Sequence, residues 1–531
     1  MEWKKNDVFQ VNIEDISDAG EGIGKTDGFT WFVKDAVIGD LVEARVMKTR
    51  KTYGFGRLLK VLEPSPARVT PSCPVARQCG GCQLQAMSYE EQLRFKENKV
   101  FHNLVRIGGV RGLVRIGQES EPEPGTCPSE AVFYPIIGME NPWRYRNKAQ
   151  FPFGKNRDGK IITGFYAGRT HSIIENEDCL LGVPENRQIL ACIQTYMEEY
   201  HIPPYDEKSH RGLVRHVLIR KGFRTGELMV CLVLNGAVAK LGKWELLVER
   251  LRKLGRTPAA GHKVTDQDPG DYEAGQNNGF AGSGSEIVSI SCSINREKTN
   301  VIMGGEIVNL YGPGYITDYI GDVCYRISPL SFYQVNPVQT ERLYATALEY
   351  AGLTGGETVW DLYCGIGTIS LFLARTAGKV YGVEVVPQAI EDARINAELN
   401  GIRNVEFFVG KAEEVLPEQY GTHGIRADVV VVDPPRKGCD KVCLDTIIRM
   451  APEKVVYVSC DPATLARDVK YLGQGGYAVR KVQAVDMFGQ GVHVETVCLL
   501  SNRKPDSYVH LNLKMEDYYR IKDAQKEQDK K

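Results

Sequence analysis

The 531-residue sequence lacks any run of 18 or more uncharged apolar residues, which excludes an ordinary membrane-spanning helix. It also lacks an apolar segment at its start. MEWKKNDVFQVNIED is charged throughout, so no secretory signal is expected. Net charge is nearly absent: 66 Lys+Arg against 67 Asp+Glu leaves −1. That excludes a globally basic nucleic-acid coat protein and leaves room for a local basic patch. Cysteine, with 14 residues, is too sparse for a disulfide-stapled secreted scaffold. These absences lead to the expectation of a cytoplasmic chain, where thiols stay reduced and clustered cysteines serve metals or catalysis. What is present is ordinary globular composition, 43% apolar and 25% charged, at a length that suits several domains.

Residues 1–62 alternate short β-rich runs (VFQVNI, TWFVKDAVI, LVEARVMK, GRLLKVLE) with glycine-containing turns, the pattern of a small OB-like barrel. Arg45, Lys48, Arg50, Lys51, Arg57 and Lys60 follow one another without an acid, interleaved with Tyr53 and Phe55. Such a surface suits RNA phosphates and bases, the alternative being a solvated strand edge guarded by charge. Residues 63–320 read as an α+β central domain with two surface insertions, the acidic, proline-rich 118–130 and the glycine-rich 255–285. From 321 to 505 near-continuous apolar strands alternate with amphipathic helices, the grammar of a doubly wound, Rossmann-like α/β domain. The tail 506–531 is charged.

Asp361-Leu-Tyr-Cys-Gly-Ile-Gly367 ends an apolar strand and opens a helix, so its glycines admit a ligand close to the turn. The next strand ends at Glu384, where a carboxylate can accept both hydroxyls of a ribose. An adenosine-containing cofactor follows, with NAD and S-adenosylmethionine as competitors. The strands downstream favour the methyl donor, because ADVVVV delivers Asp433-Pro-Pro-Arg436 and KVVYVS delivers Cys460 to the same sheet edge. A thiol beside a sulfonium suits uracil chemistry: thiolate addition at C6 turns the weakly nucleophilic C5 into an enolate carbon. The C5 proton must then leave to a base, and Glu495 in HVETVCLL is the candidate. The plainer alternatives are a buried strand-end Cys460 and an edge-strand Glu495, with His493 on the surface. Cys364, Cys439, Cys443 and Cys498 read as bystanders.

A second group, Cys73, Cys79 and Cys82, lies in a Pro/Gly-rich loop, with Cys179 in the polar context IIENEDCLLG as the best fourth thiol. Metal is the stronger reading. Four thiolates suit either zinc or a [4Fe–4S] cluster, and one triplet plus a distant single Cys leans towards iron–sulfur.

At these residues the chain resembles the RNA (uracil-5-)-methyltransferases, most closely the branch acting on 23S ribosomal RNA, over nearly its whole length. The segment with Gly20-Glu-Gly22-Ile-Gly24 resembles that family's TRAM domain. The resemblance implies a [4Fe–4S] site at Cys73, Cys79, Cys82 and Cys179. It implies S-adenosyl-L-methionine contacts at Gln334 (in Phe332-Tyr-Gln-Val-Asn336), Tyr363, Glu384 and Asp433. It also implies Cys460 as nucleophile, Glu495 as base and Arg436 near the target nucleotide. A monomer acting on RNA, away from membranes, is expected. The alternatives are the same chemistry on the T-loop of tRNA, an RNA-binding metalloprotein with an inactive methyltransferase fold, and an amino-group methyltransferase.

Overall fold

The computed structural model describes residues 3–116, 131–168, 170–254 and 284–502. The expected insertions at 118–130 and 255–285, residues 284 and 285 apart, and the tail 506–531 lie outside them.

The N-terminal unit is a six-stranded sheet. Its strand Val8–Asn12 alternates exposed and buried positions, and the inward side chains Phe9 and Val11 meet Trp31, Val33, Val42, Ala44 and Val46 in one core. Phe9 stacks on Trp31 with ring centroids 3.9 Å apart. Gly54 is required here, because a Cβ at that position would lie 2.4 Å from the Trp31 ring. The outward side of the same strands carries Phe32, Tyr53 and Phe55, whose rings contact one another at 5.5–5.8 Å between centroids. Arg45, Lys48, Arg50, Lys51, Arg57 and Lys60 are all exposed, and Arg45 sits opposite Arg57 in the ladder.

The central unit is a seven-stranded sheet in which only Glu227–Leu234 and Glu286–Ile294 pair in parallel. Helices Glu185–Glu199 and Trp244–Leu254 cover it and bury Ile189, Leu190, Ile193, Leu247 and Leu251.

The third unit is a nine-stranded sheet. Strands Thr358–Leu362, Lys379–Glu384, Val405–Val409, Val429–Val432 and Lys454–Ser459 run parallel. Helices cover both faces, so all four valines of Val429–Val432 are buried, each contributing about 1.5–3 kcal/mol. The order of connection reverses between Thr358–Leu362 and Val429–Val432, which opens a crevice at their carboxyl ends. Glu495–Asn502 then inserts antiparallel between Lys454–Ser459 and Tyr477–Val485. Two further strands, Ala131–Ile137 and Leu113–Arg115, extend this sheet past Tyr477–Val485. The sheet is therefore not confined to 321–505 and borrows strands from the stretch read in sequence as the central domain. Their short apolar runs carry no local mark of a partner more than 300 residues away.

Candidate active site

The glycine turn leaves its strand through Tyr363, at φ 71°, and reaches Gly365 and Gly367 at φ 56° and 80°. The N–H groups of Tyr363 and Cys364 both donate to the Val383 carbonyl at 2.9 Å, fixing the turn against the neighbouring strand. A Cβ on Gly365 would meet nothing within 4 Å, whereas one on Gly367 would press on Phe407 and Ala393 at 3.1–3.2 Å. One glycine thus keeps space open and the other allows close helix packing. Glu384 is held at its strand end by two backbone donors, Val386 N at 2.9 Å and Gly365 N at 3.3 Å.

Asp361 is fully buried, and its Oδ2 accepts from Ser370 at 2.5 Å. Its Oδ1 has no partner among the described residues. Burial, with Asp433 and Glu384 adding to it against the Ser370 bond, pushes its carboxyl up to about 7. A buried acid with one oxygen unpartnered favours positive charge near it.

Strand ends bring the remaining groups together. The last rung of the antiparallel ladder pairs Ser459 with Thr496, so Cys460 and Glu495 flank the same end of it, while Glu495 itself pairs with Val485 on its other side. Asp461 caps helix Pro462–Gln474, accepting from Ala463 N and Thr464 N at 2.9 and 3.0 Å, and this turns the chain sharply at Cys460. The thiol stays half-buried, and burial, then Glu495 and Asp433, push it up to about 11 against the pull of Arg436. Glu495 is 3% exposed; burial first, then Asp433, raise its carboxyl, and Arg436 opposes them. Burial likewise raises Asp433. Glu495 lies on an interior strand, not the edge strand that sequence alone allowed. His493 is half-buried, its Nε2 3.4 Å from Arg436 Nη2.

Gln334 is buried, and its carbonyl accepts from Asn147 Nδ2 at 3.0 Å. Its neighbour Phe332 is 66% exposed, a large aromatic side chain that sequence reading passed over, although an aromatic opening the Phe-Tyr-Gln-Val-Asn run was visible. Asn336 caps helix Pro337–Ala351 through Gln339 N and also donates to the Met487 carbonyl at 3.2 Å.

Cys73, Cys79, Cys82 and Cys179 line one cavity of about 290 Å³, together with Arg146, Lys148 and Val335. Cys73 N donates to Gln85 Oε1 at 3.2 Å, Gly80 N to the Tyr166 carbonyl at 3.2 Å, and Arg144 Nη1 to the Cys179 carbonyl at 3.0 Å. Burial pushes the Cys82 thiol up to about 12, with Cys179 and Cys79 adding to the rise. Among the described residues, no three His, Cys, Asp or Glu side chains gather closely enough to hold a single metal ion. Cys364, Cys439, Cys443 and Cys498 are buried.

Fold and site together define an α/β nucleotide-crevice domain joined to a small β-barrel. Residues 316–503 match the tRNA (uracil-5-)-methyltransferase family and residues 2–59 match the TRAM domain. An RNA methyltransferase of Halalkalibacterium halodurans is 47% identical over 496 residues, covering 93% of this chain and 97% of that protein. One from Clostridium tetani is 45% identical over 498 residues, covering 94% and 97%. The crystal structure of Pyrococcus abyssi tRNA (uracil-54, C5)-methyltransferase with S-adenosyl-L-homocysteine superposes with a TM-score of 0.66 at 27% identity, covering 93% of this chain and 100% of that one. The chain belongs to the RNA methyltransferases and carries a domain of the tRNA (uracil-5-)-methyltransferase family at residues 316–503. No helix among the described residues is long and apolar enough to cross a membrane.

Proposed function

We propose that this protein transfers a methyl group from S-adenosyl-L-methionine to C5 of a uridine in 23S ribosomal RNA. The observation that carries the chemistry is that Cys460 and Glu495 flank the same end of the Ser459–Thr496 rung, where the Glu495 charge acts on the Cys460 thiol. Glu384 takes the ribose hydroxyls, Tyr363 and Gln334 border the cofactor, and the half-buried Asp433, with the buried Asp361 behind the turn, favours its sulfonium charge. A uridine swung out of its stack enters the crevice, since the thiol must approach over the ring face. Cys460 Sγ bonds to C6 and the C5–C6 electron pair shifts towards C5. C5 then forms its bond to the methyl carbon as that carbon's bond to sulfur breaks, leaving S-adenosylhomocysteine. Glu495 takes the C5 proton, the C5–C6 double bond re-forms, and the C6–S bond breaks to return the thiolate.

Incubation with 5-fluorouridine RNA and S-adenosylmethionine tests this directly, because fluorine at C5 cannot leave as a proton does. A stable protein–RNA adduct is expected, and its loss in Cys460→Ala. An intact enzyme that methylates RNA without any adduct refutes the route.

The four thiols suit a [4Fe–4S] cluster, which the spacing of one triplet plus a distant single Cys favours over zinc: they line one cavity, where Arg146 and Lys148 offset cluster charge. Cys73, Cys79, Cys82 and Cys179 would hold it. Bound there, it supplies a covalent brace, since methyl transfer by this route moves no net electrons. Anaerobic purification is expected to give a brown protein that bleaches on reduction; a colourless zinc protein overturns the assignment.

The cysteine cavity also supports the ribosomal substrate through the resemblance to that branch. The T-loop of tRNA is the second reading, favoured by the archaeal structure, which is a tRNA (uracil-54, C5)-methyltransferase. Mapping 5-methyluridine in ribosomal and transfer RNA from a deletion strain separates the two.

A further inference from the structure

Glu495 is preceded by a nine-residue link, 486–494, that joins it to strand Tyr477–Val485. Two antiparallel neighbours need only about 2–5 residues to connect, so this length calls for a reason. Five consecutive carbonyls in the link are each held. Asp486 O accepts from Gln339 Nε2 at 3.0 Å, Met487 O from Asn336 Nδ2 at 3.2 Å and Phe488 O from Lys96 Nζ at 2.9 Å. Gly489 O accepts from the Tyr145 hydroxyl at 3.0 Å, and Gln490 O from Gln83 N and Leu84 N at 2.9 and 3.0 Å. Val492 then sits in a small core with Ile16 and Val37 of the barrel, Leu84 and Met87 after the cysteine loop, and Phe95 of helix Tyr89–Arg106.

At the centre of this grip is a reciprocal amide pair. Gln92 Nε2 donates to Gln490 Oε1 at 3.0 Å, and Gln490 N donates to Gln92 Oε1 at 3.0 Å. Both side chains are buried, and the Gln92 amide also reaches the Leu84 and Met87 carbonyls at 3.1 and 2.9 Å. Gln490 holds φ 68°, a setting in which glycine would be easier; the side chain is kept where its amide is needed. The rung to Val485, beside the Ser459–Thr496 rung, fixes Glu495 from the strand side, and the clamped link fixes it from the other.

We propose that Gln92, through its amide pair with Gln490, is a positioning residue that sets the Glu495 carboxylate for removal of the C5 proton. This rests on the covalent uracil reading above and goes beyond it, because it assigns the helix after the cysteine loop to one chemical step. The earlier steps, thiol addition and methyl transfer, do not use the base.

The experiment compares Gln92→Met and Gln490→Gly with wild type and with Glu495→Gln. Gln490→Gly keeps the backbone setting and removes only one side of the pair, so it serves where Gln92→Met fails to fold. Two rates are read: adduct formation on 5-fluorouridine RNA, and tritium release from RNA carrying [5-³H]uridine. Adduct formation is expected to stay within about threefold of wild type while tritium release falls by about 10²-fold for Gln92→Met and less for Gln490→Gly. A covalent complex should also accumulate on ordinary RNA, as for Glu495→Gln. Parallel loss of both rates and of S-adenosylmethionine affinity, or unchanged tritium release in both variants, overturns the proposal. If wild type itself forms no 5-fluorouridine adduct, the covalent reading has failed and this proposal fails with it; if wild type forms the adduct, the fault lies in the positioning alone.

Discussion

At the scale of single residues, Cys460 and Glu495 are both held in the protonated direction. Burial and neighbouring acids push the thiol up to about 11 and raise the carboxyl. Thiol addition needs the thiolate and proton removal needs the carboxylate, so raising the pH helps both groups and opposes neither. Single-turnover adduct formation on 5-fluorouridine RNA should therefore climb with pH, by up to about tenfold per unit where only the thiolate fraction limits. A pH series of quenched reactions checks it, and a flat or falling profile contradicts an unactivated thiol. Of these two residues, the half-buried setting of Cys460 was legible because polar neighbours interrupt an apolar strand. The interior position of Glu495 was not, since strand order in a sheet is set by pairings remote in sequence.

At the scale of elements, the outer face of the barrel joins aromatic and basic residues on adjacent strands. Phe32 lies opposite Phe55, and Thr30 opposite Tyr53, with Arg57 two residues on from Phe55 on the same face. Rings that contact one another and flank exposed cations form a stacking platform for unpaired bases. Replacing Tyr53 or Phe55 with Ala should weaken RNA binding by about 1–3 kcal/mol per lost stacking contact. Equilibrium RNA titrations at fixed salt measure this, and S-adenosylmethionine affinity should not change. Loss of cofactor binding would mean that the substitution unfolded the domain. Here the sequence was informative in part: the basic run and Tyr53 and Phe55 stand together, but Phe32 joins them only through the ladder. The parallel αβ grammar of 321–505 was equally plain, because its central strands, Val429–Val432 above all, are apolar on both faces. Strands Leu113–Arg115 and Ala131–Ile137 were not assigned to that sheet, since a strand added to a sheet edge bears no periodic signal naming its partner.

At the scale of the whole molecule, the N-terminal half is tied to the catalytic sheet by a buried ion pair. Lys96 Nζ lies 2.6 Å from Asp486 Oδ1, and neither side chain is exposed. The second carboxylate oxygen accepts from the Tyr89 hydroxyl at 2.8 Å, and Phe488 N donates to Oδ1 at 3.2 Å. Burial lowers the Lys96 pKa while Asp486 raises it, so the ammonium depends on its partner. Removing one member leaves an uncompensated buried charge, and Lys96→Met should destabilise the fold by about 3–5 kcal/mol. Replacing both, Lys96→Met with Asp486→Leu, should recover much of that loss, because two apolar side chains leave no charge stranded. Urea titrations followed by fluorescence and by RNA binding give the comparison. If the double variant is no better than the single one, the pair's remaining bonds, to Tyr89 and to the Phe488 peptide, carry the connection instead. The recovered double variant would also separate stability from chemistry, since it still lacks the ammonium that holds the Phe488 carbonyl, three residues past the end of strand Tyr477–Val485, and the carboxylate that accepts from Phe488 N and Tyr89; a fall in tritium release with restored unfolding midpoints would trace to the loss of these bonds on the link.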